Sequence, residues 1–257
     1  MKKIVSILLS LILLVGLVPM SAFAGSHPSD NAPALDWEQY AEYAQRNTSN
    51  EDAAEAYKKA AEKYCEYIKE EVFYFGPARD CYNKAIELFK DEKMYDKVLK
   101  CYEALGDAAF GCGKNQEARD AYKKAGELAE ETDTEDWYFA VLQEKLGDAY
   151  MSLKVYRDAA FEYGHALQKT DSSNETYGAL CLKYAQALEA DGLASDPEGE
   201  MIIARAFTDA AGALVIRGSE EEAIAVMKNG VKHYEKAGMQ EYAQRAYAAF
   251  TEDESKT

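Results

Sequence analysis

Positive charge is scarce in this 257-residue chain: 29 Lys and Arg stand against 46 Asp and Glu, for a formal charge of −17. Nucleic acid as a partner requires clustered Lys and Arg, and here the few cations are mixed among carboxylates. The same deficit disfavours an anionic lipid surface. Gly (16) and Pro (5) are also few, whereas aromatics reach 12%, with 19 Tyr against 2 Trp. Disordered chains have the opposite profile, so most of the length should bury a core. Histidine occurs only as His27, His165 and His233, with no Cys or Asp cluster at ligand spacing. Gly-rich phosphate loops are missing, as is any Ser-His-Asp or Cys-His arrangement in a strand-turn-helix setting. The reading is of a protein with no catalytic residues, no cofactor and no metal.

A long apolar run occurs once. Lys2 and Lys3 precede Ile4 to Leu17, and Ala22-Phe23-Ala24 supplies a small-x-small cleavage pattern. Residues 1–24 therefore read as a bacterial-type secretory signal peptide, and no Cys follows the run to accept a lipid anchor. The alternative, an uncleaved membrane anchor, fits less well because the run is short for about 20 spanning residues. The expected product is secreted or extracytoplasmic, with no membrane insertion after cleavage. Residues 25–35 hold two of the five prolines and read as a flexible linker. A helical domain is expected over 36–250 and an acidic disordered tail over 251–257.

From Asp36 onward, apolar residues recur at intervals of three and four, the period that puts one apolar stripe on each helix. The spacing predicts helices near 37–46, 51–71, 77–90, 94–112, 115–131, 134–153, 156–169, 174–191, 199–217, 219–236 and 239–250. Capping boxes are expected at Ser49-x-x-Asp52, Thr132-x-x-Glu135, Ser172-x-x-Glu175 and Ser219-x-x-Glu222. Gly113, Gly192 and Gly218 stand where helices should stop.

An internal repeat organises these helices. Leu105-Gly106-Asp107-Ala108-Ala109-Phe110 matches Leu146-Gly147-Asp148-Ala149-Tyr150-Met151, 41 residues later. Ala118-x3-Tyr122-x2-Ala125 likewise matches Ala159-x3-Tyr163-x2-Ala166, and Ala78-x3-Tyr82-x2-Ala85 lies 40 residues upstream. Trp37-x2-Tyr40-Ala41-x2-Ala44 followed by Ala53-x3-Tyr57-x2-Ala60 begins the array, and Ala223-x3-Met227-x2-Gly230 is a degenerate late copy. Small residues such as Gly106 and Gly147 should let two helix backbones meet, with Tyr or Phe filling the space between successive pairs. One pair cannot bury its apolar face alone, so pairs should stack. A non-repeating helical bundle is the alternative.

Leu-Gly-x2-Tyr followed by Ala-x3-Tyr-x2-Ala at 146–166 resembles the tetratricopeptide repeat, and 105–125 does so with Ala109 in place of Tyr. The resemblance covers roughly 37–236. The 40–41-residue spacing departs from the usual 34 and looks more like the longer-helix version in soluble NSF-attachment-type adaptors. Phase also slips, since Ala53 to Ala78 is only 25 residues. The resemblance implies an all-α, right-handed α-solenoid of antiparallel helix pairs, with about 10–11 helices. It further implies a concave face lined by the first helix of each pair, which puts Glu103, Asp107 and Phe110 beside Glu144, Asp148 and Met151. Family members that grip a C-terminal carboxylate carry Asn there, where this chain has Asp107 and Asp148. The expected function is therefore a non-catalytic scaffold holding a protein or peptide, basic or amphipathic in character. Alternatives are a helical-shell enzyme or small-ligand-binding protein, or a vesicle-fusion-type adaptor.

Through the same repeat, Cys65 aligns with Leu105 and Leu146, Cys101 with Leu142, and Cys112 with Leu153, so all three read as core hydrophobes. Cys81 aligns with Ala121 and Glu162. Reduced thiols are expected, with a Cys65–Cys81 bridge as the alternative. The acid run from Glu130 to Asp136 lacks the glycine and terminal Glu of a calcium loop and reads as a solvated turn.

Overall fold

A computed structural model describes residues 26–68, 71–192 and 196–252. The expected signal peptide and residues 253–257 of the expected tail lie outside them. Eleven α-helices are present among the described residues, with no strand. They fall into two compact units divided after Met94.

The first unit holds α1 (Ala34–Asn47), α2 (Asn50–Ile68), a 3-10 turn (Val72–Tyr74) and α3 (Phe75–Asp91). Residues before α1 are tied to it, with the His27 ring 4.9 Å from Trp37 and 5.1 Å from Tyr40. The second unit holds α4 (Tyr95–Gly111), α5 (Asn115–Glu131), α6 (Asp136–Ser152) and α7 (Tyr156–Lys169). It continues through α8 (Tyr177–Ala190), α9 (Pro197–Ile216), α10 (Glu220–Lys236) and α11 (Gln240–Glu252). Within each unit every helix packs on its neighbour in sequence, and the short turns make those neighbours antiparallel.

The turns explain the long repeat. Lys93, Gly113, Asp133, Lys154, Gly218 and Gly238 all have left-handed φ, between 50° and 80°. In each case the next amide returns to a carbonyl five residues back, as Lys114 N donates to Ala109 O at 2.9 Å and Val155 N to Tyr150 O at 3.0 Å. This closure satisfies carbonyls that the helix end leaves free. Helices α4, α5 and α6 have 17 residues each. One such helix plus a three- or four-residue turn makes 20–21 residues, and two make the repeat. Gly113, Gly192 and Gly218 stop helices as expected; Lys93, Asp133 and Lys154 do so against a steric cost of about 1–2 kcal/mol each.

Several starts differ from expectation. Ser49 does cap α2, its Oγ accepting from Asp52 N at 3.1 Å. Thr132 instead closes α5, donating to Leu128 O, and α6 begins only at Asp136. Around Ser172 the short acceptors Asp171 and Asn174 form local turns, delaying α8 to Tyr177. Ser219 precedes α10 but makes no side-chain cap. The cap that sequence reading passed over is Asp196, which accepts from Gly199 N at 2.8 Å with Pro197 in the first turn of α9.

Burial follows the stripe. On α5, Ala118, Ala121, Tyr122, Ala125, Gly126 and Ala129 are buried while Lys123, Lys124 and Glu127 are exposed. None of the five cysteines is in a disulfide; Cys81, Cys101 and Cys181 are buried, and burial pushes Cys81 up to about 12 and Cys181 up to about 11. Cys65 is only half-buried, unlike Leu105 and Leu146 with which it was aligned. The reason is the phase slip: α2 carries Ala53, Tyr57 and Ala60 and so corresponds to α5 and α7, second helices, not to α4.

Glu162 on α7 stands where the repeat places buried Cys81 and Ala121. Desolvation, reinforced by Asp158 one turn back and opposed by Lys123, raises its carboxyl from 4.5 to about 7. The folded state therefore holds a proton that the unfolded chain releases, and stability falls as pH rises from about 4.5 to about 7. Glu162→Gln should raise the melting stability at pH 8 by about 1 kcal/mol after solvent screening and change it little at pH 4.5. Equal gains at both pH values in thermal melts would refute this assignment.

Candidate binding face

Two helix pairs of the second unit repeat one local architecture. Tyr122 of α5 lies over Gly106 of α4, and Tyr163 of α7 lies over Gly147 of α6. A Cβ on Gly147 would stand 2.5 Å from Tyr163 Cε1, so glycine is what admits the ring. The expectation that two backbones meet at these glycines, with tyrosine between pairs, is thereby corrected: the tyrosine sits inside its own pair. Close approach to a neighbouring backbone occurs instead at Gly230 of α10, where a Cβ would stand 3.0 Å from Ala204 O of α9.

Each buried ring carries its hydroxyl to an acid of the first helix. Tyr122 donates to Asp107 Oδ1 at 2.7 Å and Tyr163 to Asp148 Oδ1 at 2.6 Å. Burial first, then these bonds, pushes both phenols far up, so they stay donors at any physiological pH. A lysine from the next first helix completes the group. Lys145 of α6 donates to Glu103 Oε1 at 2.7 Å and to both Asp107 oxygens at 2.8 Å. Lys183 of α8 donates to Glu144 Oε1 and Asp148 Oδ2, both at 2.8 Å. Burial alone would lower these ammonium groups, but the carboxylates outweigh it and hold both above the ordinary lysine range. Lys145 and Lys183 also lie 5.9 Å above the centroids of Tyr122 and Tyr163. Tyr138 adds a second donor to Glu103 at 2.7 Å.

The unit is thus two acids one turn apart, a tyrosine fifteen residues after the second acid, and a lysine from the following first helix. A looser copy occupies the first unit. Lys84 of α3 lies 4.7 Å over the Tyr57 ring and 3.6 Å from Glu38, with Glu42 fifteen residues before Tyr57.

Glu103, Asp107, Glu144 and Asp148 therefore do gather on one face, formed by α4, α6 and α8. They are joined there by Lys145 and Lys183, which sequence reading missed, so this is a ladder of alternating sign and not a stripe of free acids. Phe110 is 37% exposed at the end of α4. Met151 is half-buried and packs on the core of its unit. Lys145 had one sequence signal, its place inside the matched Glu144-x3-Asp148 pair, whereas Lys183 lies 35 residues after Asp148 and had none.

Among the described residues, no three His, Cys, Asp or Glu side chains form a metal-binding group, and no helix is long and apolar enough to cross a membrane. No protein-family model matches the chain, and no curated protein matches it in sequence. Solved structures do resemble it. BtubC (BKLC) from P. vanneervenii is 15% identical, with 89% of this chain and 92% of that one covered and a TM-score of 0.53. The fold is tetratricopeptide-like. Putative kinesin light chain TPR-like repeats from Podosopora anserina are 14% identical, covering 90% of this chain and all of theirs, with a TM-score of 0.48. The TPR protein YrrB is 16% identical, covering 81% and 99%, with a TM-score of 0.42. This tetratricopeptide-like array puts the α4, α6 and α8 ladder where its first helices run side by side.

Proposed function

We propose that the protein is an exported, non-catalytic scaffold that holds a protein or peptide partner against the face of α4, α6 and α8. The observation that carries this reading is the ladder itself, because it holds three helices in fixed relation through charge-assisted bonds. A face held that way presents its remaining groups without a large ordering cost. The partner is an amphipathic segment with basic groups. Four carboxylates against two ammonium groups leave the face net acidic, and Phe110 offers apolar contact. Export is supported by the charged, apolar and small-residue order of residues 2–24.

The test begins with the protein recovered from medium or envelope, where amino-terminal sequencing should start at Gly25 and a specific partner should co-purify. Lysine substitutions at Asp107 and Asp148 would disturb the tyrosine bonds, so Asn is the better choice: it removes charge and keeps an acceptor oxygen. Asp107→Asn with Asp148→Asn should weaken the partner at least tenfold, against little change for Glu220→Gln with Glu221→Gln at exposed positions of α10. Equal responses of the two double variants would mean that the partner binds elsewhere.

A further inference from the structure

The connection between α7 and α8 is longer than the turns before it in the second unit. Three or four residues join α4 to α5, α5 to α6 and α6 to α7, whereas residues 170–176 form a loop of seven. Ser172 to Thr176 are all exposed. Within the loop, Asn174-Glu175-Thr176 is an Asn-x-Ser/Thr triplet, the acceptor pattern for sugar attachment to an asparagine amide. The chain carries a second such triplet, Asn47-Thr48-Ser49. By sequence the two are equivalent; by structure they are not.

Transfer asks three things of the acceptor: an amide nitrogen open to the donor, an available hydroxyl two residues on, and backbone outside a helix. Asn174 meets all three. Its Oδ1 is the atom engaged, accepting from Thr176 N at 2.9 Å and from Thr176 Oγ1 at 3.0 Å. That leaves Nδ2 without a partner among the described residues and holds the hydroxyl beside the same amide. Asn47 is closed on the same counts. It is the last residue of α1, its Nδ2 donates to Tyr43 O at 2.8 Å, and Ser49 Oγ is taken up capping α2. Only Thr48 and Ser49 separate α1 from α2.

We propose that Asn174 is a glycosylation site and that Asn47 is not. The donor is a sugar carried on a diphosphate, nucleotide-linked or lipid-linked. A bond forms between Asn174 Nδ2 and the anomeric carbon as the bond from that carbon to the diphosphate oxygen breaks. The bonding pair leaves with the diphosphate, and Nδ2 gives up one proton to a base of the transferase. No oxidant or reductant is consumed. The reading of the chain as exported motivates the proposal, since this acceptor pattern belongs to surface loops of secreted proteins, but the two fail separately.

Mass spectrometry of the protein recovered from the organism that makes it separates the two asparagines. Cleavage after Lys and Arg puts Asn174 in peptide 170–183 and Asn47 in peptide 47–58. Peptide 170–183 should carry a hexose or N-acetylhexosamine increment that fragmentation assigns to Asn174, and 47–58 should be bare. Thr176→Ala should abolish the increment and Thr176→Ser should retain it, with both thermal melts unchanged at this exposed position. A preassembled oligosaccharide identifies the lipid-linked donor, and a single hexose the nucleotide-linked one. An unmodified 170–183 peptide, sugar on Asn47, or sugar at Asn174 that survives Thr176→Ala overturns the proposal. Amino-terminal sequencing of the same sample keeps it apart from export. A chain starting at Gly25 with bare Asn174 overturns glycosylation and leaves export standing. Sugar at Asn174 on a chain still starting at Met1 upholds glycosylation and overturns export.

Discussion

Replacing His233 with leucine is expected to cost about 3–5 kcal/mol, the largest effect of any single substitution considered for this chain. His233 on α10 is 1% exposed and lies between two carboxylates from different helices. Nδ1 is 2.5 Å from Glu200 Oε2 of α9, and Nε2 is 3.2 Å from Glu189 Oε1 of α8. Each ring nitrogen faces a carboxylate oxygen, so the ring of α10 bridges α9 and α8. Phe207 stacks on the ring at 5.7 Å with planes 10° apart, which fixes its orientation. Leucine would fill much of the volume but leave the Glu200 side chain, 9% exposed, with only the more distant Lys236 ammonium at 3.6 Å. The cost arises from the stranded charge more than from lost packing, so Glu200→Leu added to His233→Leu should recover most of it. His165→Leu, a half-buried ring resting on Phe161, should cost under about 1 kcal/mol. Urea unfolding of the three variants decides the matter; a His233→Leu loss under about 1 kcal/mol would show that the cluster contributes little.

Gly147→Leu is expected to cost about 3 kcal/mol, the upper end for overpacking a dense interior. Even the first added carbon would lie 2.5 Å from the Tyr163 ring, so the ring must leave its place. Its departure breaks the 2.6 Å bond to Asp148 and uncovers the site where Lys183 meets Asp148 and Glu144. Gly147→Ala should already cost about 1–2 kcal/mol for that reason. Lys124→Ala, an exposed position whose ammonium lies 5.8 Å over Tyr102, should cost a few tenths. Thermal melts in which Gly147→Leu unfolds no earlier than Lys124→Ala would contradict the tyrosine-on-glycine packing.

Local sequence pattern determined the helices and the repeat. Apolar residues three and four apart mark each buried stripe, and these are near-neighbour relations along one helix. For that reason 115–131 and 156–169 coincide with α5 and α7, and the other described helices differ only at their ends. Those ends shifted where several capping residues compete within a few positions, as around Thr132 and Ser172. The acids of the candidate face were legible too, because Glu-x3-Asp recurs with the repeat.

Partners were decided only by the tertiary structure. Lys145 reaches Glu103 across 42 residues, Lys183 reaches Asp148 across 35, and His233 reaches Glu189 across 44. No period within a helix encodes such separations; they arise from which helices pack and in what register. A lysine in a charge-rich sequence reads as solvated until its neighbour across the interface is known. The pairing turns an apparently acidic stripe into a ladder of alternating charge. It also turns an isolated histidine into a buried link between Glu200 and the exposed Glu189, because the low-dielectric space between packed helices exists only after folding.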